Sequence, residues 1–417
     1  MIRLFVFPVI LLLFLISSSH SQQPSTLKFV QIWFRHGERL PTHFLNLPGD
    51  PYPSVYHEIS EPGELTNNGV IQEYDLGLEI KKSYGDFIGP YRASELRIWV
   101  GEDNRTVTSA LAAGAALFPP AEGQKWNPDL PWLPIAVHSD PSLDWVSTGV
   151  EHECPVYEKT FFTSSDYQSM TGKLKNQKLL ETIKKNLPLI PLHDIRDVNH
   201  ILDSLYIRNI LNDKRLPLPE WAKDISYDIR PVMIEIHERL TNLQSPIIGY
   251  HRERVLSYME DHLQRSVKNK AVFLSGHDTN FMMLGKALGI NELKTNLPSF
   301  GAHIAIELHE YNQTSYVKFF YTTGVGEPLT EAIPSYCTEI CTLQDVQNHN
   351  EYQRVLPLDM IKICKGLTMS EQQSIVTGSL IAVLAVLLIS TVILTYTTYS
   401  YRKQLIQMKD PECQRLL

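Results

Sequence analysis

The sequence carries no basic stripe. Its 38 lysines and arginines are outnumbered by 46 aspartates and glutamates, for a formal charge of −8. A protein that neutralises a nucleic-acid backbone needs clustered cations along a surface, so general nucleic-acid binding is excluded as a function class. No internal repeat or low-complexity block is evident, and positive charge is local. Cysteine is scarce, with 5 in 417 residues. Cys337 and Cys341 lie close together, but no nearby histidine or second cysteine pair has the spacing of a zinc site. No metal and no cofactor is expected. The longest uncharged runs lie toward the two ends of the chain.

Those ends suggest a topology. Arg3 precedes an uncharged run from Leu4 to Ile16, and small residues follow to Ser19-His20-Ser21. This is the layout of a cleaved secretory signal over 1–21, since the run is too short to span a bilayer. Ser374 to Tyr401 contains no charge, and Ile375–Leu394 alone is long enough for one membrane helix. Tyr396, Tyr399 and Tyr401 would sit at the interface, with Arg402-Lys403 in the cytosol. The expectation is a single-pass protein with a lumenal domain. Its short tail ends Glu412-Cys413-Gln414-Arg415-Leu416-Leu417, which resembles an acidic dileucine signal read by sorting adaptors. Lysosomal or endosomal residence is expected, with the cell surface as the alternative. Cys413 then lies in the reducing cytosol, and Cys154, Cys337, Cys341 and Cys364 in the oxidising lumen. Four cysteines allow three pairings.

The most informative segment is Arg35-His36-Gly37-Glu38-Arg39-Leu40-Pro41. It places two guanidinium forks and an imidazole around one glycine, directly after Leu27–Phe34, which reads as a buried strand. Arginine forks match phosphate oxygens, histidine can act as a neutral nucleophile, and the carboxyl end of such a strand is where an open α/β sheet places a ligand. The same syntax recurs twice. Strand Ala271–Ser275 runs through Gly276-His277-Asp278-Thr279-Asn280 into a helix beginning near Phe281. Strand Leu96–Val100 runs through Gly101–Thr106 into a helix opened by Val107, so Arg105 stands at a helix N-terminus, where anions are favoured. Each motif alone has a plain explanation, an N-capping turn or an exposed arginine. Three such junctions together point to phosphate chemistry.

Arg-His-Gly-x-Arg-x-Pro with Gly-His-Asp-Thr-Asn resembles the histidine acid phosphatase family, of the membrane-anchored lysosomal and prostatic type. The resemblance implies an α/β doubly wound mixed sheet with helices on both faces, an α-helical cap insertion and a single C-terminal transmembrane helix. The corresponding division is 1–21 signal, 22–134 first part of the α/β core, 135–224 cap, 225–365 second part of the core, 366–374 stalk, 375–397 membrane helix and 398–417 cytosolic tail. It further implies that His36 is the nucleophile, that Asp278 donates the proton, and that Arg35, Arg39, Arg105 and His277 bind the phosphoryl group. The disulfides it implies are Cys154–Cys364 and Cys337–Cys341. Expected partners are small phosphate monoesters, the membrane and sorting adaptors, with a homodimer left open.

Two features depart from the family pattern. Trp99 stands where relatives carry an arginine, and Asn104 replaces an acid while creating an Asn-Arg-Thr glycosylation sequon beside Arg105. A glycan there would crowd the phosphate site, so Asn312, in the turn between Ile304–Glu310 and Tyr316–Thr322, is the expected acceptor. Two further readings stand beside acid phosphatase: a selective inositol-polyphosphate (phytase-like) phosphatase, and a catalytically weak membrane-anchored binding protein on the same scaffold. The lysines at 173, 175 and 178 are offset by Glu181, so the cap is mixed rather than strongly basic.

Overall fold

Strand β1, Leu27–Arg35, is buried from Phe29 to its end. Phe29 and Trp33 point into one apolar cluster and Val30, Ile32 and Phe34 into another. A strand apolar on both faces must be covered on both, and helices do so here. Gln31 is satisfied inside the core by donating from Nε2 to the Val255 carbonyl at 2.8 Å. The computed structural model describes residues 26–408 except 49, 51–60, 146–153, 191, 193, 212, 214, 265–267, 339 and 366–368. The expected leader and the tail residues Glu412, Leu416 and Leu417 lie outside the described residues.

Helix α1, Asn67–Ile88, begins where the Thr66 side chain accepts from the Gly69 N–H and ends at Gly89, whose φ of 72° suits glycine. It buries Leu76, Ile80, Tyr84 and Ile88 at four-residue spacing against the sheet. Strand β2, Leu96–Val100, leads into α2, Asn104–Leu117. The short β3, His138–Ser139, precedes the helical cap, whose main helices are α3, Pro155–Phe162, α4, Gln177–Asn186, α5, Ile195–Leu211, and α6, Ser226–Asn242. Their apolar faces form a core of their own, which Met282 and Leu297 join to the rest. Because α6 packs into that same core, the helical layer runs past residue 224 to Asn242.

The chain then re-enters the α/β core through α7, Ser245–Leu263, β4, Ala271–Gly276, and α8, Asp278–Leu288. Strands β5, His303–Tyr311, β6, Thr314–Tyr321, and β7, Thr330–Ala332, complete a sheet of order β3-β2-β4-β1-β5-β6-β7. β3, β2, β4 and β1 are parallel, whereas β5, β6 and β7 add on as antiparallel neighbours. The fold is thus a doubly wound mixed sheet with helices on both faces. Register pairs Arg35 with Gly276 and Val100 with Ser275, so β1, β2 and β4 end together and release their three loops at one place.

The disulfides are Cys154–Cys364 and Cys337–Cys341. The first ties the N-cap of α3 to α9, Pro357–Lys365. The β5–β6 turn is Asn312-Gln313, both with positive φ, as a two-residue hairpin turn demands. The apolar end of the chain lies in one helix, α10, Met369–Met408, which includes the membrane-length segment Leu384–Lys403. Residues 369–374 of the expected stalk form its first turns.

The closest approach between α1 and α2 depends on Gly77, where a Cβ would lie 2.2 Å from the Ala113 carbonyl oxygen. Gly77→Ala should destabilise the protein by about 1–3 kcal/mol through overpacking. Gly123→Ala, at a position with nothing within 4 Å, should leave thermal unfolding unchanged. Melting curves of both variants check this, and equal melting temperatures would show that the helix pair is not close-packed.

Candidate active site

All six residues singled out for phosphate chemistry, Arg35, His36, Arg39, Arg105, His277 and Asp278, line one cavity between the sheet's carboxyl edge and the cap. His36 follows the last residue of β1, and its backbone N–H donates to the Gly276 carbonyl at the end of β4. Gly37 is required by close approach, since a Cβ there would sit 2.3 Å from the Gly69 carbonyl oxygen in the first turn of α1. The Nδ1 of His36 lies 2.8 Å from the Gly37 carbonyl, which can only accept, so Nδ1 carries the proton and Nε2 keeps its lone pair. Burial, reinforced by Arg105, Arg35, His277 and Arg39, holds the His36 pKa well below the usual imidazole value. The ring therefore remains neutral and nucleophilic in acid.

Each arginine is pinned from the side. Arg35 donates from Nη1 to the Pro298 carbonyl at 2.6 Å, pairs through Nη2 with Asp278 at 2.6 Å, and lies 4.2 Å over the Phe300 ring. Arg39 forms a two-pronged pair with Asp203 of α5, at 2.9 and 3.2 Å. The same carboxylate accepts from the Thr42 N–H and hydroxyl, each at 3.1 Å. Burial alone would push Asp203 up, but Arg39 and Thr42 outweigh it and hold its carboxyl below the ordinary range. Arg105, in the first turn of α2, pairs with Asp103.

His277 is the N-cap of α8, and its backbone N–H donates to the Asn280 side chain at 2.7 Å. Its Nε2 sits 2.7 Å from Asp144 and 3.4 Å from Asp103. These three donors converge within 4.8 Å, but Arg105 already holds Asp103 and Glu102 N–H donates to Asp144, so the group is knit by its own hydrogen bonds. Asp278 opens α8. Burial raises its pKa, yet Arg35, His237, His277 and Arg39 together overcome this and hold it at about 2. Paired with Arg35, Asp278 is a carboxylate throughout the mildly acid range.

Sequence reasoning missed Asp203, Asp144 and Asp103, the carboxylates that hold Arg39, His277 and Arg105. Asp203 left a trace: a carboxylate at a buried position of α5 between Leu202 and Leu205 is costly unless paired. Asp144 left none, because it lies beyond β3 in a turn. Trp99 packs into the core beside His138, with ring centroids 5.5 Å apart, and does not line the cavity. Asn104 donates from Nδ2 to Glu64 at 2.8 Å.

The paired geometry of Arg39 makes Asp203 a positioning residue. Asp203→Asn should raise KM and lower kcat together, for a loss of about ten- to a hundredfold in kcat/KM for an aryl phosphate, with Asp203→Glu restoring part of it. Steady-state kinetics check this; wild-type KM in the asparagine variant would show that Arg39 needs no partner from the cap.

A sequence profile of the histidine phosphatase superfamily (branch 2) matches residues 26–225. The chain is 30% identical to prostatic acid phosphatase of Bos taurus over 363 residues, covering 80% of this chain and 87% of that one. It is 28% identical to lysosomal acid phosphatase of Rattus norvegicus, covering 88% of each. Among solved structures, Hafnia alvei phytase in complex with tartrate superposes with a TM-score of 0.54 at 15% identity, over 81% of this chain and 98% of that one, which is a likeness of fold. The matched relatives are spanned over most of their length, and the chain belongs to the histidine phosphatase superfamily (branch 2).

Proposed function

We propose that this protein is a phosphate monoester hydrolase whose nucleophile is His36 and whose proton donor is Asp278. The observation that carries the assignment is the state of His36: a buried neutral imidazole with Nε2 free, ringed by three guanidinium groups. Arg35, Arg39, Arg105 and His277 bind the phosphoryl oxygens and stabilise charge in a loose transition state, where positioning and electrostatics do most of the work. Nε2 of His36 forms a bond to phosphorus as the bond to the leaving oxygen breaks, and that oxygen takes the proton of Asp278. Water then attacks the phosphohistidine, Asp278 recovers the proton from it, the P–N bond breaks and phosphate leaves.

Asp278 must be protonated before the first step, yet Arg35 holds it ionised. The substrate resolves this conflict. A phosphoryl group on Arg35 diverts that guanidinium and adds negative charge near Asp278, and both effects raise the carboxyl pKa. An acid optimum follows, because protonated Asp278 becomes scarcer as pH rises.

One membrane-length helix at the carboxyl end, together with likeness to lysosomal acid phosphatases, supports a membrane-anchored, lysosome-linked enzyme. Lysosomal delivery through Glu412, Leu416 and Leu417 is our reading of the tail. Asn312, exposed at a hairpin turn, is the favoured glycan acceptor, whereas Asn104 is engaged with Glu64 beside the site.

The detergent-solubilised full chain should hydrolyse an aryl phosphate with an acid-peaked profile in the presence of chelator. His36→Ala should lose about a thousandfold or more. Asp278→Asn should lose more on alkyl than on aryl phosphates, because poorer leaving groups need the proton more. Undiminished turnover by His36→Ala would overturn the assignment. For the tail, a Leu416→Ala, Leu417→Ala double variant should shift to the cell surface by fractionation, and wild-type distribution would remove the signal.

A further inference from the structure

The cap wall of the cavity contains a cation that phosphoryl transfer does not use. Arg230 of α6 lines the same space as His36 and Asp278. Its Nη2 donates to the Leu297 carbonyl at 2.5 Å and reaches the Asn296 side chain at 3.4 Å. Among the described residues these are its only side-chain hydrogen bonds, and it forms no ion pair there, whereas Arg35, Arg39 and Arg105 each hold a carboxylate. The two acidic residues lining the cavity, Asp203 and Asp278, are paired with Arg39 and Arg35. Arg230 therefore faces the cavity with a fixed positive charge that nothing on that wall neutralises.

Two imidazoles share the wall. His237, two helical turns beyond Arg230 on α6, gives Nδ1 to the Met233 carbonyl at 2.7 Å and keeps Nε2 for another partner. His200 of α5 lines the cavity and stacks on His43 with ring centroids 3.8 Å apart. The phosphoryl group is held at the sheet edge by the three core arginines, so the leaving group projects toward the cap. It meets one guanidinium and two imidazoles there.

We infer that the preferred substrates are phosphate monoesters whose leaving group carries a negative charge of its own, a carboxylate or a second phosphate, received by the guanidinium of Arg230. This rests on the hydrolase reading above and specifies its substrate class. A guanidinium fork matches either oxyanion in two-pronged geometry, and in a partly buried site the charged hydrogen bonds discriminate strongly against a neutral group.

The test compares kcat/KM of the full chain, in detergent at mildly acid pH, for phenyl phosphate, 4-(carboxymethyl)phenyl phosphate and 1,4-phenylene bisphosphate. The carboxymethyl group leaves the phenol's acidity nearly unchanged, so the first ratio reports recognition. At least one charged substrate should be favoured by about tenfold over phenyl phosphate, and which one identifies the oxyanion. Arg230→Gln should bring that ratio close to one, and Arg230→Lys should restore part of it. Equal kcat/KM for all three substrates in the wild type, or an unchanged ratio in Arg230→Gln, overturns the inference and leaves the hydrolase reading standing. No turnover of any of them overturns the hydrolase reading itself, and this inference with it.

Discussion

The structure depends on one electrostatic constraint: three guanidinium groups converge on a buried imidazole, and unlike charge must be supplied without filling the space a phosphate needs. Arginine cannot shed its proton inside a protein, so each of these charges must be answered by structure. Asp278 answers Arg35, Asp203 answers Arg39, and Asp103 answers Arg105. Asp203 and Asp278 line the cavity beside the arginines they pair with, and the forks and ring still face the same space. Burial, reinforced by the same field, holds the His36 pKa well below the usual imidazole value, as the nucleophilic role proposed for it requires.

This constraint explains why the cap and the sheet act as one unit. Arg39 is released by the loop after β1, but its counter-charge comes from α5, 164 residues along the chain. The cap is thereby part of the catalytic centre rather than a cover over it. Two further links support the junction. Met282 of α8 and Leu297 extend into the cap's own apolar core, and the Cys154–Cys364 disulfide fastens the start of the first cap helix to the segment before the membrane helix.

The relation between Arg35 and Asp278 gives the site a built-in sequence of events. An acid that were always protonated would need no partner, and one that were always paired could not donate. A phosphoryl group that competes for Arg35 moves Asp278 from the second condition toward the first, so in the proposed mechanism proton donation is coupled to substrate binding. The unneutralised Arg230 on the opposite wall extends the same logic to the leaving group.

The sequence by itself determined the local syntax. Strand, loop and helix at the β2 and β4 junctions, and the strand that leads into the Arg35 loop, follow from apolar runs, glycines and capping residues, and Arg35, His36, Arg39, Arg105, His277 and Asp278 were legible because each is a chemically distinctive residue where such a strand ends. The apolar carboxyl-terminal helix was legible from composition alone, since length and absence of charge decide whether a segment can cross a bilayer. Only the tertiary structure decided which residues hold the site in place. Asp203, Asp144 and Arg230 are ordinary helix and turn residues until packing brings them to the sheet edge, because a charge pair acts through distance in space while sequence records only distance along the chain. That Trp99 turns into the core, and that Asp278 is held ionised by Arg35, were likewise settled by side-chain environment, which no spacing rule encodes.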